Sequence, residues 1–527
     1  MTPATDGQST ATNRPSFLPP AARAVLPAAP PPGPSPLGSS WAVALLVVLG
    51  IALDTRSLLQ DRDLWIDEAM LALNLVGRGP RQLLEPLDWN QGAPVGFLLA
   101  VKAAIGMFGT REWVLRLVPF LGSVLGLIGF AVLSRRWLPA PAATLAVGLA
   151  AVSPYRISYA AECKQYATDW VLAVALLLVA TGPLHRAGGW RRWAGLAVLG
   201  AWAVWFSHPA VFVLGGIGAA LMIDAVGRRE WKRAVACGAV IGCWLVSFAA
   251  CYGLLLRHLG ANAYLLDYWQ AHFLPGPPTS PAALAWLADH YFALFTNPGG
   301  FGGGEWKASG VAAVVFLVGV AAFWRDRPTR AVALVVPGVL ALVASALHKY
   351  PFAGRLLLFL LPLLVLGVAR GAWSLLGALR VARRPLAAAL FLGVLIVAPA
   401  LETIQNVRRP PRREQLGELL TELRCRVEPG DAVYLHWGAV PAFTFYTRNE
   451  PFPVPVVRGG EYPRQPTAYR DELRRLAGRP RVWVVFSHRH GSEESLLRAY
   501  SEGLGDRREE LLRPGAKATC YDFRGRQ

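Results

Sequence analysis

The sequence predicts a mostly α protein, with a polytopic membrane helical domain of about eleven spans and a small extracytoplasmic α/β domain at the C-terminus. Three observations lead there. Hydrophobic residues make up 54% of the 527 positions and charged residues only 17%, against roughly 45–50% and about 25% in soluble domains. Apolar runs of near-span length recur from Trp41 to about residue 401. The formal charge is nevertheless +19, from 53 Lys and Arg against 34 Asp and Glu. So much hydrophobicity excludes disorder for most of the chain. A basic chain suggests nucleic acid, but one this oily sets its charge beside a membrane. No nucleic-acid partner is expected.

Residues 1–40 are rich in Pro, Ala, Ser and Thr and cannot bury a core, so a disordered cytoplasmic tail is expected. The oily run from Trp41 has no short basic leader and no small-residue cleavage site after it. It reads as an uncleaved first span. Further runs follow at about 113–134, 139–153, 166–184, 193–206, 209–226, 234–256, 308–324, 331–347, 354–369 and 385–401, placing the membrane domain at 41–402. The run 94–109 is short and carries Lys102 at its middle. Leu98, Val101, Ile105 and Phe108 recur at helical spacing, which suits a helix lying in the interface with its lysine facing water.

With that helix flat, sixteen Lys and Arg fall in loops on one side, among them Arg135, Arg136, Arg186, Arg228, Arg229, Arg380 and Arg383. The opposite short loops hold Arg156, Lys164 and Lys349 alone. The positive-inside rule makes the first side cytoplasmic, together with the N-terminus, and leaves the C-terminal part outside. An integral membrane location is expected.

Residues 403–527 change character. AVYLHW (432–437), FTFYT (443–447), RVWVVFS (481–487) and TCYDF (519–523) read as strands, and 412–424, 466–477 and 492–504 have helical periodicity. Cys425 and Cys520 lie near the first and last strands and, in an oxidising compartment, are candidates to pair. Cys163, Cys237, Cys243 and Cys251 belong to or border membrane helices and read as packing. His488-Arg489-His490 reads as an exposed basic turn, and no Cys/His spacing suggests structural zinc.

Ionisable residues at the edge of a membrane domain are costly to desolvate and tend to serve a function or a specific pair. Asp67 and Glu68 follow the first span, beside Trp65 and Ile66. Either they cap a helix N-terminus, or one accepts a proton from an attacking hydroxyl while its neighbour orients the acceptor. Glu162, Lys164 and Tyr166 enter the next outer loop. They are interfacial anchors, or Lys164 and Tyr166 hold a phosphate while Glu162 faces the reaction centre. Tyr350 and Arg355 stand at the mouth of the tenth span. Arg355 either snorkels or meets a phosphate with its planar fork. His208, in a tight outer turn, and Asp88, Asn90 and Gln91, before the flat helix, are weaker substrate candidates.

The order of these features resembles the GT-C glycosyltransferases over about residues 41–402. It comprises the Asp-Glu pair, a Pro-started flat helix ending in FG, the segment Trp113–Pro119 with Arg116, and then SPYRISYAAECKQYA. The likeness is to the bacterial branch related to protein O-mannosyltransferases and the lipid A aminoarabinose transferase. It implies a hexose or pentose donor carried on a polyprenyl phosphate and a glycan, lipid or protein acceptor. By the same resemblance Asp67 is the base, Glu68 its acceptor-contacting neighbour, and Glu162 the second-loop acid. Lys164, Tyr166 and Arg355 hold the donor phosphate. A divalent cation on Asp67, Glu162 and His208 is a further candidate. Asn90-Gln91-Gly92-Ala93-Pro94 stands where many relatives have His before a Pro-Pro pair, a change that bears on the acceptor. The alternative reading is a transporter or flippase of lipid-linked saccharides, but the ionisable residues lie at helix ends rather than mid-membrane and no internal repeat is evident.

Overall fold

The computed structural model describes residues 40–60, 62–184, 189–302, 308–378, 384–462, 465, 467–488 and 491–524. The expected tail (1–39), Arg186, Arg380, Arg383, and Arg489 and His490 of the expected basic turn lie outside the described residues.

Each of the eleven apolar runs folds as a helix. In chain order the helices are α1 (Ser40–Leu58), α2 (Ile66–Gly77), α3 (Val95–Phe108), α4 (Glu112–Leu115), α5 (Leu117–Trp137), α6 (Ala140–Ala151), α7 (Pro154–Ala160) and α8 (Tyr166–Leu184). Then come α9 (Trp190–Phe206), α10 (Ala210–Gly227), α11 (Trp231–Cys251), α12 (Arg257–Leu259), α13 (Ala263–Tyr268), α14 (Pro281–Thr296) and α15 (Ser309–Asp326). The membrane domain closes with α16 (Pro328–Ala346), α17 (Leu361–Ala378, preceded by a 3-10 turn from Gly354) and α18 (Pro385–Arg408). Among the described residues, eight helices are long and apolar enough to cross a bilayer. The chain is an integral membrane protein. Of the other three runs, α6 has 12 residues, α9 has 17, and the apolar part of α8 spans Tyr166–Gly182.

Glycine brings α15 and α17 together. A Cβ on Gly319 would fall 1.9 Å from the Gly367 carbonyl, and one on Gly371 equally close to the Val315 carbonyl. Lipid tails are as apolar as leucine, so helices in a bilayer associate through such close backbone packing. Helices α1, α5 and α7 are tied together by charge. Arg156 Nη1 lies 2.5 Å from Asp54 Oδ2, both side chains fully buried, and Ser123 Oγ donates to the same carboxylate oxygen at 2.9 Å. Arg156, expected as a loop cation, is thus a buried partner, because an unpaired Asp54 inside an oily helix would be expensive.

The segment 94–109 is a helix as expected, but Lys102 does not simply face water. Its Nζ donates to the Leu75 carbonyl at 2.7 Å, at the C-terminal end of α2, where a cation suits the helix dipole.

After α18 come α19 (Leu416–Arg424), α20 (Val440–Tyr446), α21 (Thr467–Arg474) and α22 (Glu493–Leu504), with strands β1 (Ala432–Leu435), β2 (Val456–Arg458), β3 (Val482–Ser487), β4 (Asp506–Arg513) and β5 (Ala516–Asp522). The sheet runs β2-β1-β3-β5-β4, parallel across β1–β2 and β1–β3 and antiparallel through β5 and β4. FTFYT, expected as a strand, is helical in α20. Its aromatic and apolar side chains fill the core between the sheet and α2, and that burial overrides β propensity. Strands β2 and β4 were not anticipated: the first is three residues long, and the second, DRREELLR, is an edge strand whose charges mask its alternation. The candidate pair Cys425 and Cys520 is not bridged. Cys425 sits exposed at the end of α19, bonded to the Thr421 carbonyl, while Cys520 is buried in β5 opposite Trp483 and Glu509, and both are free thiols.

Candidate functional site: a carboxylate among three cations

Helix α2 begins at Ile66 after an extended Trp65, so Asp67 and Glu68 occupy its first turn, where the helix dipole favours acids. Consecutive side chains on a helix diverge by about 100°, and here they part completely. Glu68 turns inward, 2% exposed. Arg116 Nε and Nη2 grip its two oxygens at 2.9 and 2.8 Å, and the Cys163 amide donates to it at 2.7 Å. Arg116 also donates to the Arg62 carbonyl at 2.9 Å. These contacts tie α2 to the 162–165 loop and the start of α5.

Asp67 points the other way, to Arg355 Nη2 at 2.6 Å. Burial opposes ionisation of Asp67, but the charges of Lys164 and Arg355, with the Arg355 hydrogen bond, outweigh it and hold the carboxyl below its ordinary range. Lys164 is buried, which lowers its amine below the usual lysine value in spite of Asp67. Its Nζ donates to Gln91 Oε1 at 2.6 Å. Gln91, one of the weaker substrate candidates, thus holds the lysine in place. Glu162 is 4% exposed, and burial, aided by the neighbouring Glu68 and Asp67 charges, raises its carboxyl against the pull of Arg413. One oxygen is 3.5 Å from Arg413 Nη1, and the other is buried without a hydrogen-bond partner.

Aromatic rings frame these charges. The Arg355 guanidinium lies 5.5 Å from the Trp65 ring centroid and 5.7 Å from that of Tyr166, and Arg413 lies 4.6 Å from Trp65. A cavity of about 470 Å³ opens beside Arg355 and Trp65, with Trp269, His272, Asn297 and Phe352 among its lining residues. The structure thus brings Asp67, Glu162, Lys164, Tyr166 and Arg355 into one cluster. Asn90 Oδ1 accepts from Asn262, the Tyr350 hydroxyl donates to the Leu356 carbonyl at 2.6 Å, and Asp88 pairs with Arg78. His208 is pushed down to about 4 by burial. Asp67, Glu162 and His208 do not gather as metal ligands: among the described residues no three His, Cys, Asp or Glu side chains form such a group, and Arg355 and Arg413 take the carboxylates instead.

Sequence reasoning missed the contribution from beyond the membrane domain. Arg413 and Glu414 lie on the connection between α18 and α19. Glu414 Oε2 accepts from the Ile66 amide at 2.8 Å, at the very start of α2, while its other oxygen meets His488 Nδ1 at 2.8 Å. Tyr446 accepts from the Leu64 amide at 2.8 Å. The C-terminal domain is therefore docked against the segment that carries Asp67. The signal was present as an Arg-Arg-Glu run after the last span, but charged linkers are common, so it carried no weight.

The docking contact has a pH signature. Desolvation pulls His488 down, but the Glu414 hydrogen bond and charge, with Asp67 and Glu493, outweigh it and raise the imidazole above 6.5. A raised folded-state value means this contribution is full below 6.5 and is lost as the pH climbs through the raised value. Unfolding midpoints of the detergent-solubilised chain should fall across that alkaline window, and His488→Gln should flatten the fall. An unchanged slope would deny His488 this role.

Residues 92–252 match the family model described as dolichyl-phosphate-mannose-protein mannosyltransferase. No curated protein matches the chain. Among solved structures, ArnT from Cupriavidus metallidurans bound to undecaprenyl phosphate aligns with a TM-score of 0.53 at 13% identity, covering 92% of this chain and 98% of that one. The Archaeoglobus fulgidus oligosaccharyltransferase, in complex with Zn and sulfate, aligns with a TM-score of 0.53 at 12% identity, covering 88% of this chain and 71% of that one. The chain has the fold of the GT-C polytopic membrane glycosyltransferases, with a protein-mannosyltransferase sequence signature across its α3–α11 region.

Proposed function

We propose that the protein moves a hexosyl or pentosyl group from a polyprenyl-phosphate-linked donor to a hydroxyl or amine acceptor on the extracytoplasmic face of a bacterial inner membrane. The observation that carries this reading is the ion pair of Asp67 with Arg355, beside buried Lys164 at the outer helix ends. In this orientation the N-terminus is cytoplasmic and the C-terminal domain extracytoplasmic. The structurally similar ArnT holds undecaprenyl phosphate in its crystal structure, which supports a donor of that class.

The chemistry follows from competition for Arg355. A donor phosphodiester drawn between Lys164 and Arg355, with Tyr166 alongside, takes the guanidinium from Asp67. The carboxylate then loses its hydrogen-bonded counter-charge, its proton affinity rises, and it becomes a better base. Asp67 accepts the proton of the acceptor hydroxyl as the oxygen attacks the anomeric carbon from the face opposite the phosphate. The carbon–oxygen bond to phosphate breaks, and its electrons leave with polyprenyl phosphate, whose added negative charge Lys164 and Arg355 stabilise. Glu68 acts as a positioning residue through Arg116. Glu162 stays beside Arg413.

Membranes containing the chain are to be incubated with a panel of radiolabelled polyprenyl-phosphate sugars. Label should pass to an acceptor with inverted anomeric configuration. Retention would overturn direct displacement, and translocation of intact donor without transfer would favour the transporter reading.

A further inference from the structure

Helix α2, which carries Asp67, has no cap of its own. Its N-cap residue is Trp65, whose side chain makes no capping bond, although the first amides of a helix lack partners within it. The partners come from the far end of the chain. Gln415 Oε1 accepts from the Asp63 amide at 3.2 Å, the Tyr446 hydroxyl from the Leu64 amide at 2.8 Å, and Glu414 Oε2 from the Ile66 amide at 2.8 Å.

The exchange runs both ways. Helix α19 also begins without a side-chain cap of its own. Its Glu418 amide donates to Asp63 Oδ2 at 3.1 Å. A Cβ on Gly417 would fall 2.9 Å from Asp63 Oδ1, so the glycine makes room for the carboxylate. Each helix thus finds its first-turn acceptor in an acid that stands just before the other. This is the reciprocity of a capping box, spread over two domains. The connection that carries Glu414 is braced on the sheet. Glu414 is 5% exposed, and its second oxygen meets His488 Nδ1, just past β3, at 2.8 Å. The Gln415 amide donates to the Pro514 carbonyl, in the turn between β4 and β5, at 2.8 Å.

We propose that Glu414 and Asp63 exchange helix caps between the two domains, and that Glu414 is thereby a positioning residue for sugar transfer, fixing the first turn of α2 that aims Asp67 at Arg355. The inference rests on the glycosyl-transfer reading above. Asp67 directly follows the capped Ile66, and its carboxylate lies 2.6 Å from Arg355 Nη2. Arg116 anchors α2 separately through Glu68, so withdrawing the cap loosens the first turn while the helix stays docked. A displacement of about 1 Å at a reacting group is enough to cost a large part of the rate. The cap needs an acceptor oxygen at this reach rather than a charge, as the equal merit of Asn and Asp at such positions shows.

The test uses the full chain in lipid nanodiscs and two substitutions that separate reach from charge. Glu414→Gln keeps an oxygen for the Ile66 amide. Glu414→Asp keeps the charge but draws the oxygen back by one methylene. Glu414→Asp should lower kcat about tenfold, with undecaprenyl phosphate affinity changed less than about twofold. Hydrogen exchange at residues 64–68 should quicken about tenfold in the same variant. Glu414→Gln should match the unaltered chain in all three. The reverse order would make Glu414 a charge partner and overturn the cap, and loss of donor affinity in step with kcat would reduce it to a structural contact. Because the caps are exchanged, Asp63→Ala should quicken exchange at 416–419 and at 64–68 together. Quickening at 416–419 alone would overturn the reciprocity. Failure of the glycosyl-transfer reading looks different: the unaltered chain would transfer no sugar, while the exchange rates still decide the cap.

Discussion

Asp67→Asn should lower sugar transfer by about 10²–10⁴-fold, the usual contribution of a positioned general base, without weakening the donor. The amide keeps the shape of the carboxylate but cannot accept the acceptor's proton. It also no longer holds the Arg355 guanidinium, 2.6 Å away in the resting chain. A donor phosphate therefore meets a freer arginine, and undecaprenyl phosphate should bind Asp67→Asn as well as the unaltered chain or better. The split is diagnostic: kcat collapses while donor affinity holds or improves. Equal losses of both would make Asp67 a donor-binding residue, and full activity would remove it from the chemistry.

Arg116→Met should destabilise the chain by about 3–5 kcal/mol, the cost of leaving a buried partner charge uncompensated. Glu68 would lose both Arg116 bonds while 2% exposed, keeping only the Cys163 amide. The carbonyls of Arg62 and Asp63 would lose donors as well. Arg116→Lys should recover little, because an ammonium cannot reproduce two parallel bonds from a planar fork. Adding Glu68→Gln should restore much of the stability by removing the stranded charge. Unfolding midpoints of the three variants in detergent check this, and a stable single Arg116→Met variant would show that the pair carries little weight. Activity should follow the placement of α2, since Asp67 rides on the same first turn.

Periodicity and charge were enough to find the helices. Each of the eleven apolar runs became one, because a segment without water must satisfy its backbone internally. The cost of ionisable groups near the bilayer also marked Asp67, Glu162, Lys164 and Arg355, which the structure gathers. The same argument applied to Asp54, an acid in the first oily helix, would have marked it as needing a buried partner. What no local pattern contained was which neighbour each group meets. Asp67 and Glu68 are adjacent in the chain and share one chemistry, yet the turn of α2 sends one to Arg355 and the other to Arg116. FTFYT has the composition of a strand, and only its place between the sheet and α2 makes it a helix. Arg413 and Glu414 lie some 250 residues from Glu162 and about 350 from Ile66 along the chain, a separation across which periodicity carries no information. Hydrophobic pattern is a property of one segment and is written along it. Ion pairing and docking are properties of segments brought together, and packing alone decided them.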